Sequence, residues 1–186
     1  MSSTSQTTPQ LTKECTWAIR GVVVHGHGRG GTQLGFPTAN VGLDDEATNA
    51  LLPLQNWVYF GYGTVEGAET PAVLPLVMSV GFNPHFQDKK LTVEAYFLHK
   101  FPQDFYGSTV RIISCGAIRE QGAFTTLEDL IKTIHHDCDV AVAKLNEPSF
   151  RFWASHAFLS ADANVSKDFT QPNIPSVQVF AWPSSL

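Results

Sequence analysis

Charge is sparse in this sequence and nowhere concentrated. Only 16% of the 186 residues are charged, with 12 Lys and Arg against 17 Asp and Glu, a formal net charge of −5, and no basic run occurs. Binding to nucleic acid or to an anionic membrane surface needs clustered Lys and Arg, so neither is expected as the main function. An anionic ligand must instead be held by a few placed donors or by a metal. No apolar run approaches the ~18 residues of a membrane helix, and no membrane span is expected. Residues 1–10 are rich in Ser, Thr and Gln and lack an apolar core, so a secretory signal is not expected either. Cysteine is scarce as well. Cys15, Cys115 and Cys138 form neither a CxxC pair nor an even set, which fits buried reduced thiols and a reducing, cytoplasmic setting. At the other end, Ser184-Ser185-Leu186 resembles the Ser-Lys-Leu peroxisomal address without its central basic residue.

What is abundant points to a β-rich interior. Hydrophobic residues make up 43% of the chain, 13 of them Phe, while 14 Gly and 11 Pro are scattered along its length. A strand is expected from Trp17 to Val24. Further β-type runs lie at 57–65, 74–81, 91–98 and 110–118, each bounded by Gly, Pro, Asn or Asp. Close-spaced strands without intervening helices argue for an antiparallel barrel or sandwich. Residues 42–55 read as a loop. The period then changes: Leu127, Leu130, Ile131, Ile134, Cys138, Ala141 and Leu145 fall on one helical face, with Thr125 and Glu128 as a capping box and Pro148 as a stop. A shorter helix is expected near 150–159, and the chain is loop-like from Ser160. The expected organisation is a disordered tail at 1–13, one domain at 14–160 and an extension at 161–186.

The segment after the first strand carries the chemistry. Gly26, Gly28 and Gly31 satisfy GxGxxG, but a dinucleotide-binding turn must open a helix, and Pro37 arrives before two turns could form. No βαβ unit follows, and no Walker A pattern occurs. A glycine-lined flap remains, whose backbone N–H groups can approach phosphate oxygens unobstructed. In Phe36-Pro37-Thr38-Ala39-Asn40, the oxygens of Thr38 and Asn40 face the same way if the segment is extended. Such a pair suits Mg²⁺, although a polar loop with a Pro bend reads equally well from these five residues alone.

Residues 26–40, Gly-His-Gly-Arg-Gly-Gly-Thr-Gln-Leu-Gly-Phe-Pro-Thr-Ala-Asn, resemble the signature of the riboflavin kinase (flavokinase) family, in its monofunctional eukaryotic-like form. Three blocks follow in the family's order: Ser79-Val80-Gly81-Phe82-Asn83-Pro84, Val93-Glu94 with Asp104-Phe105-Tyr106-Gly107, and Ile118-Arg119-Glu120 leading through Phe124 to Leu127. The resemblance covers roughly residues 16–146. It implies a six-stranded antiparallel Greek-key barrel with one or two C-terminal helices, ATP and riboflavin as substrates, FMN as product, and Mg²⁺ or another divalent cation such as Zn²⁺ or Mn²⁺. A monomer is expected, and FAD synthesis by the same polypeptide is not.

Residue by residue, the resemblance makes Glu94 the general base. A mid-strand carboxylate either points to solvent or into the barrel mouth, and the resemblance favours the mouth. Thr38 and Asn40 are implied as metal ligands. Gly26, Gly28, Arg29, Gly30, Thr38, Phe97, His99 and Tyr106 are implied around ATP, and Arg119, Phe124 and Leu127 around the flavin. The chain departs from the family at Tyr96, where a His is frequent, and at Gly31-Thr32-Gln33, where a basic residue is frequent. That second departure keeps open an alternative, a non-catalytic flavin-binding barrel acting as carrier or sensor. The residues at 66–74 lengthen a hairpin and carry no motif.

Overall fold

The computed structural model describes residues 12, 15–26, 35–67, 73–82 and 91–160, and the backbone of 177–179. Strands β1 (Trp17–Val24), β2 (Ala39–Val41), β3 (Trp57–Val65), β4 (Leu74–Phe82), β5 (Leu91–Phe97) and β6 (Thr109–Glu120) pair antiparallel in the order β2-β5-β4-β3-β6-β1. A further pairing of β1 with β2, through Val23 and Val41, closes the ring. The result is a closed six-stranded barrel with helices packed on one side.

Alternation along the strands sorts the residues to two sides. Leu91, Val93, Ala95 and Phe97 of β5, with Leu76, Met78 and Val80 of β4, fill the interior together with Trp17, Ile19 and Tyr59. Val58, Phe60, Tyr62, Val77, Ile113 and Cys115 face outward into a second core. Ala141 and Leu145 of helix α2 (Leu127–Leu145) and Trp153, Phe158 and Leu159 beyond it cover that outer face. The Tyr62 hydroxyl donates to the Leu145 carbonyl at 2.9 Å, tying the end of α2 to the wall.

Four expectations about local structure need correction. Residues 42–55 are not a loop: Asp44 caps a helix α1 (Asp45–Leu51), and a 3-10 turn follows at Leu52–Leu54. Ala47, Leu51 and Leu54 join the interior core, so the helix plugs one barrel end. The cap of α2 sits one residue later than expected, with Thr126 accepting from the Asp129 backbone N–H at 3.1 Å. The segment after α2 is a single helical turn α3 (Pro148–Arg151) and two 3-10 turns, rather than one helix. The chain beyond Ser160 is not all loop, since β7 (Val177–Val179) pairs with Trp17–Ile19 on the edge of β1 that β2 leaves uncovered. Among the described residues no helix is long and apolar enough to cross a membrane.

The lengthened hairpin between β3 and β4 has a structural role that its lack of motif concealed. Glu66 accepts from Arg111 Nε at 2.7 Å and from Arg20 Nε at 3.2 Å. Arg111 is 1% exposed, and its Nη1 also donates to the carbonyls of Phe158 and Ser160. This network binds the β3–β4 turn, β1, β6 and the segment after α3 together. Burial opposes the Glu66 charge, but the hydrogen bonds from Arg111 and Arg20 hold its carboxyl below the usual carboxylate range. A depressed value contributes stability that is full above the ordinary glutamate range and is lost as the pH falls through the folded-state value. Glu66→Gln is therefore expected to cost about 2–3 kcal/mol at neutral pH. Urea unfolding at stepped pH should show the gap to wild type closing as the medium becomes acidic.

Candidate active site

The site lies on the outside of the barrel. Thr92, Glu94 and Tyr96 alternate with the interior residues of β5, so Glu94 points away from the barrel axis, and the expectation that it faces the mouth is corrected. Strand register gives its neighbours. Asn40 of β2 lies directly opposite Glu94 on one side, and Ser79 of β4 lies opposite on the other. Ser79 in turn faces Val58 of β3, and Val58 faces Arg119 of β6. Asn40, Glu94, Ser79, Val58 and Arg119 thus form one row across five strands. At the usual strand spacing the stretch from Glu94 to Arg119 covers about 14 Å along the sheet.

A β-bulge puts Arg119 in that row. Beside Val58 and Tyr59, β6 supplies an extra residue, so that Tyr59 faces Ala117 while Val58 faces Arg119. Ala117 packs toward the interior core and Ile118 toward the outer one. Simple alternation would then return Arg119 to the interior. The bulge turns it outward, as such irregularities do where a side chain must be re-aimed.

Helix α2 and residues 121–124 roof the row from Glu94 to Arg119 and bound an open-sided cavity of about 590 Å³, within the range of small-molecule sites. Phe36, Tyr96, Phe82, Phe124, Leu130 and Ile134 supply flat or apolar walls; Thr38, Ser79, Glu94, Arg119 and Asp137 supply polar groups. Phe36 meets Tyr96 and His135 edge-on, with centroids 5.5 Å and 5.0 Å apart. The segment that carries Thr38 is thereby pinned between β5 and α2. The Arg119 guanidinium lies 5.7 Å from the centre of the Phe124 ring. A narrow slot with aromatic walls and a few polar groups suits a planar heteroaromatic ligand with a polar tail.

A second group adjoins the Asn40 end of the row. His25 and Tyr106 stack with centroids 3.8 Å apart, and Gly26 follows directly. A Cβ at Gly26 would occupy the place of the Asn40 carboxamide, so glycine is what lets the end of β1 lie against Asn40. Of the other residues implied around ATP, Phe97 and His99 lie apart from the cavity. Phe97 is 3% exposed and packs inside the barrel against Phe101 and Phe105, and His99 meets Phe101 edge-on. Leu127, implied around the flavin, is 57% exposed at the start of α2 and does not line the cavity. Gly28, Arg29 and Gly30 lie outside the described residues, as do Asn83 and Pro84 and the C-terminal Ser-Ser-Leu.

Sequence reasoning missed Asn56, Gln121 and Asp137 among the polar groups in the lining. Gln121 lies over β4 because Gly81 has no side chain to displace it. Asp137 falls on the buried stripe of α2, three residues after Ile134 and four before Ala141, and a charge in an otherwise apolar stripe was the available signal. As to metal binding, no group of three or more His, Cys, Asp or Glu able to hold a cation occurs among the described residues. The oxygens of Thr38 and Asn40, beside the Glu94 carboxylate, are a hard donor set of the kind Mg²⁺ takes when phosphates and water complete its shell.

A closed antiparallel barrel with a roofed slot on its outer wall, and an acidic side chain between an amide and a hydroxyl, defines a small-ligand enzyme scaffold rather than a nucleic-acid or membrane module. Comparison with known proteins makes the class specific. Residues 14–145 match the family described as "Flavokinase: Riboflavin kinase", and the chain belongs to that family. It is 37% identical over 155 residues to "Riboflavin kinase" of Kluyveromyces lactis, covering 69% of this chain and 83% of that protein. It is 41% identical over 144 residues to "Bifunctional riboflavin kinase/FMN phosphatase" of Arabidopsis thaliana, covering 77% of this chain but 37% of that protein. Among solved structures it is similar to riboflavin kinase from Trypanosoma brucei, with a TM-score of 0.69 and 35% identity over 90% of this chain and 98% of that one.

The cysteines do not belong to the slot's polar groups. Burial pushes the Cys115 thiol up to about 12. Burial, followed by the neighbouring charges of Asp137 and Asp139, pushes Cys138 up to about 11. Reactivity follows the thiolate. Iodoacetamide at pH 7.5 is expected to leave Cys115 and Cys138 unmodified in the native protein and to alkylate both in urea, as peptide mass mapping would show.

Proposed function

We propose that the protein transfers the γ-phosphoryl group of ATP to the terminal ribityl hydroxyl of riboflavin, giving ADP and FMN. The observation that carries this reading is the row Asn40–Glu94–Ser79–Val58–Arg119, roofed from Glu94 to Arg119. The planar ring system lies at the Phe124 and Arg119 end, its edge near the guanidinium. The ribityl chain then runs back along the row, so that its terminal hydroxyl reaches Glu94. The triphosphate enters from the opposite side, past Gly26, with the stacked His25 and Tyr106 at the nucleoside end.

The chemistry needs little covalent participation from the protein. Glu94 accepts the ribityl hydroxyl proton as the oxygen attacks the γ-phosphorus. The new P–O bond forms as the bond to the bridging β–γ oxygen breaks, and ADP leaves with the electron pair. Asn40 and Ser79, on the strands either side, limit where the carboxylate can swing. Thr38 and Asn40 are the residues that would hold a divalent cation, which when bound neutralises phosphate charge. The close approach at Gly26 keeps the Asn40 carboxamide in place. Closure of α2 and residues 121–124 over the slot keeps water from competing with the ribityl hydroxyl. A reducing, cytoplasmic setting and a monomeric state remain part of this reading.

Incubation of the wild-type protein with riboflavin, ATP and Mg²⁺, followed by chromatographic separation of the flavins, should yield FMN. A folded protein that binds riboflavin but neither binds MgADP nor forms FMN would be a flavin carrier instead. Glu94→Gln is expected to keep riboflavin binding and lower kcat by at least ~100-fold. Gly26→Ala should displace the Asn40 carboxamide, lowering affinity for MgADP in calorimetry while riboflavin binding stays unchanged.

A further inference from the structure

The carboxylate of Asp137 is 2% exposed, on the face of α2 that roofs the slot, and it faces one guanidinium. Arg119 Nε donates to Asp137 Oδ1 at 2.9 Å and Nη2 donates to Oδ2 at 2.7 Å, a side-by-side fork. The remaining terminal nitrogen, Nη1, donates to the Glu120 carbonyl at 2.9 Å. Nε–H and one N–H of each terminal nitrogen are thereby engaged, which leaves one N–H on each terminal nitrogen for a ligand. Phe124 lies against the guanidinium and further limits its rotation.

Taking a carboxylate out of water costs several kcal/mol, and a pair fully satisfied by its own hydrogen bonds is often no more stable than apolar residues would be. Fold stability is thus a weak reason for a charge on the apolar stripe of α2. Geometry is a stronger one. A long Arg side chain at the end of a bulged strand has many rotamers, and an ordered fork removes that freedom before ligand arrives. The pair also spans the slot, joining the end of β6 to the middle of α2, with residues 121–124 of the roof looped between them.

We infer that Asp137 is a positioning residue for riboflavin: through the Arg119 fork it fixes the guanidinium against the flavin edge and holds the roof over the ring. This rests on the placement of the flavin proposed above, and it assigns Asp137 a share in affinity for the flavin but none in affinity for the nucleotide. Asp137→Asn keeps the size of the side chain and removes the charge and one acceptor. Its riboflavin dissociation constant, read from quenching of flavin fluorescence, is expected to rise ~10-fold or more. MgADP affinity by calorimetry should stay within about twofold of wild type. Arg119→Lys should weaken riboflavin to a similar extent, and the double variant should be little worse than either alone, because the two side chains act as one unit.

Riboflavin affinity within about twofold of wild type in a folded Asp137→Asn protein overturns the inference. Equal weakening of riboflavin and MgADP, or additive losses in the double variant, also overturns it, since those mark a general structural role. If Asp137→Asn does not fold, Asp137→Glu, which retains the charge but moves it by one methylene, carries the same comparison. The functional reading fails separately, on a folded wild type that makes no FMN. The positioning role alone fails when wild type makes FMN and the variants bind riboflavin unchanged.

Discussion

The filled interior of the barrel decides where everything else can go. Six strands close around Trp17, Tyr59, Met78 and Phe97, with α1 plugging one end, and packed side chains occupy the interior. Chemistry is forced to the outer wall. An outer wall can exclude water only if something covers it, and α2 provides that cover by sharing the second hydrophobic core. The slot exists where the helix lifts from the sheet over the row from Glu94 to Arg119. Strand alternation then gives each functional group its side, and register gives it its neighbour.

Two arginines of β6 illustrate how the same chemistry serves different ends. Arg111 joins Glu66, Arg20 and two carbonyls in a network remote from the slot that ties four parts of the chain together, its own strand included. That arrangement holds the scaffold. Arg119 has one carboxylate partner among the described residues, keeps N–H groups in reserve and is 27% exposed. Its arrangement leaves interaction capacity for a ligand.

Much of the fold and part of the site could be read from the residues alone. The β-type runs bounded by turn residues located β1 and β3–β6, and the stripe from Leu127 to Leu145 located α2. The motif blocks brought Thr38, Asn40, Glu94, Arg119 and Phe124 forward; the sheet sets Asn40, Glu94 and Arg119 in one row, and Thr38 and Phe124 line the slot beside it. Other features depend on long-range contacts that leave weak local marks. Helix α1 is only seven residues long, and its cap at Asp44 was read as part of a polar loop. The role of Glu66 is set by residues 45 and 46 positions away. The outward turn of Arg119 depends on a bulge against β3, and Asp137 acquires its meaning only once Arg119 arrives opposite it. Phe97 carries the same apolar signal whether it faces a ligand or the interior, and the fold places it inside.

The seam of the barrel has a consequence for how the chain can be handled. Strand β2 is three residues long and meets only the far end of β1, so the first half of β1 relies on Val177–Val179 for its outer hydrogen bonds. Removal of that short partner would bare the main-chain donors and acceptors of Trp17–Ile19, a ready template for a strand from another molecule. Pairing with Val177–Val179 thus shields that edge of the sheet from strand addition.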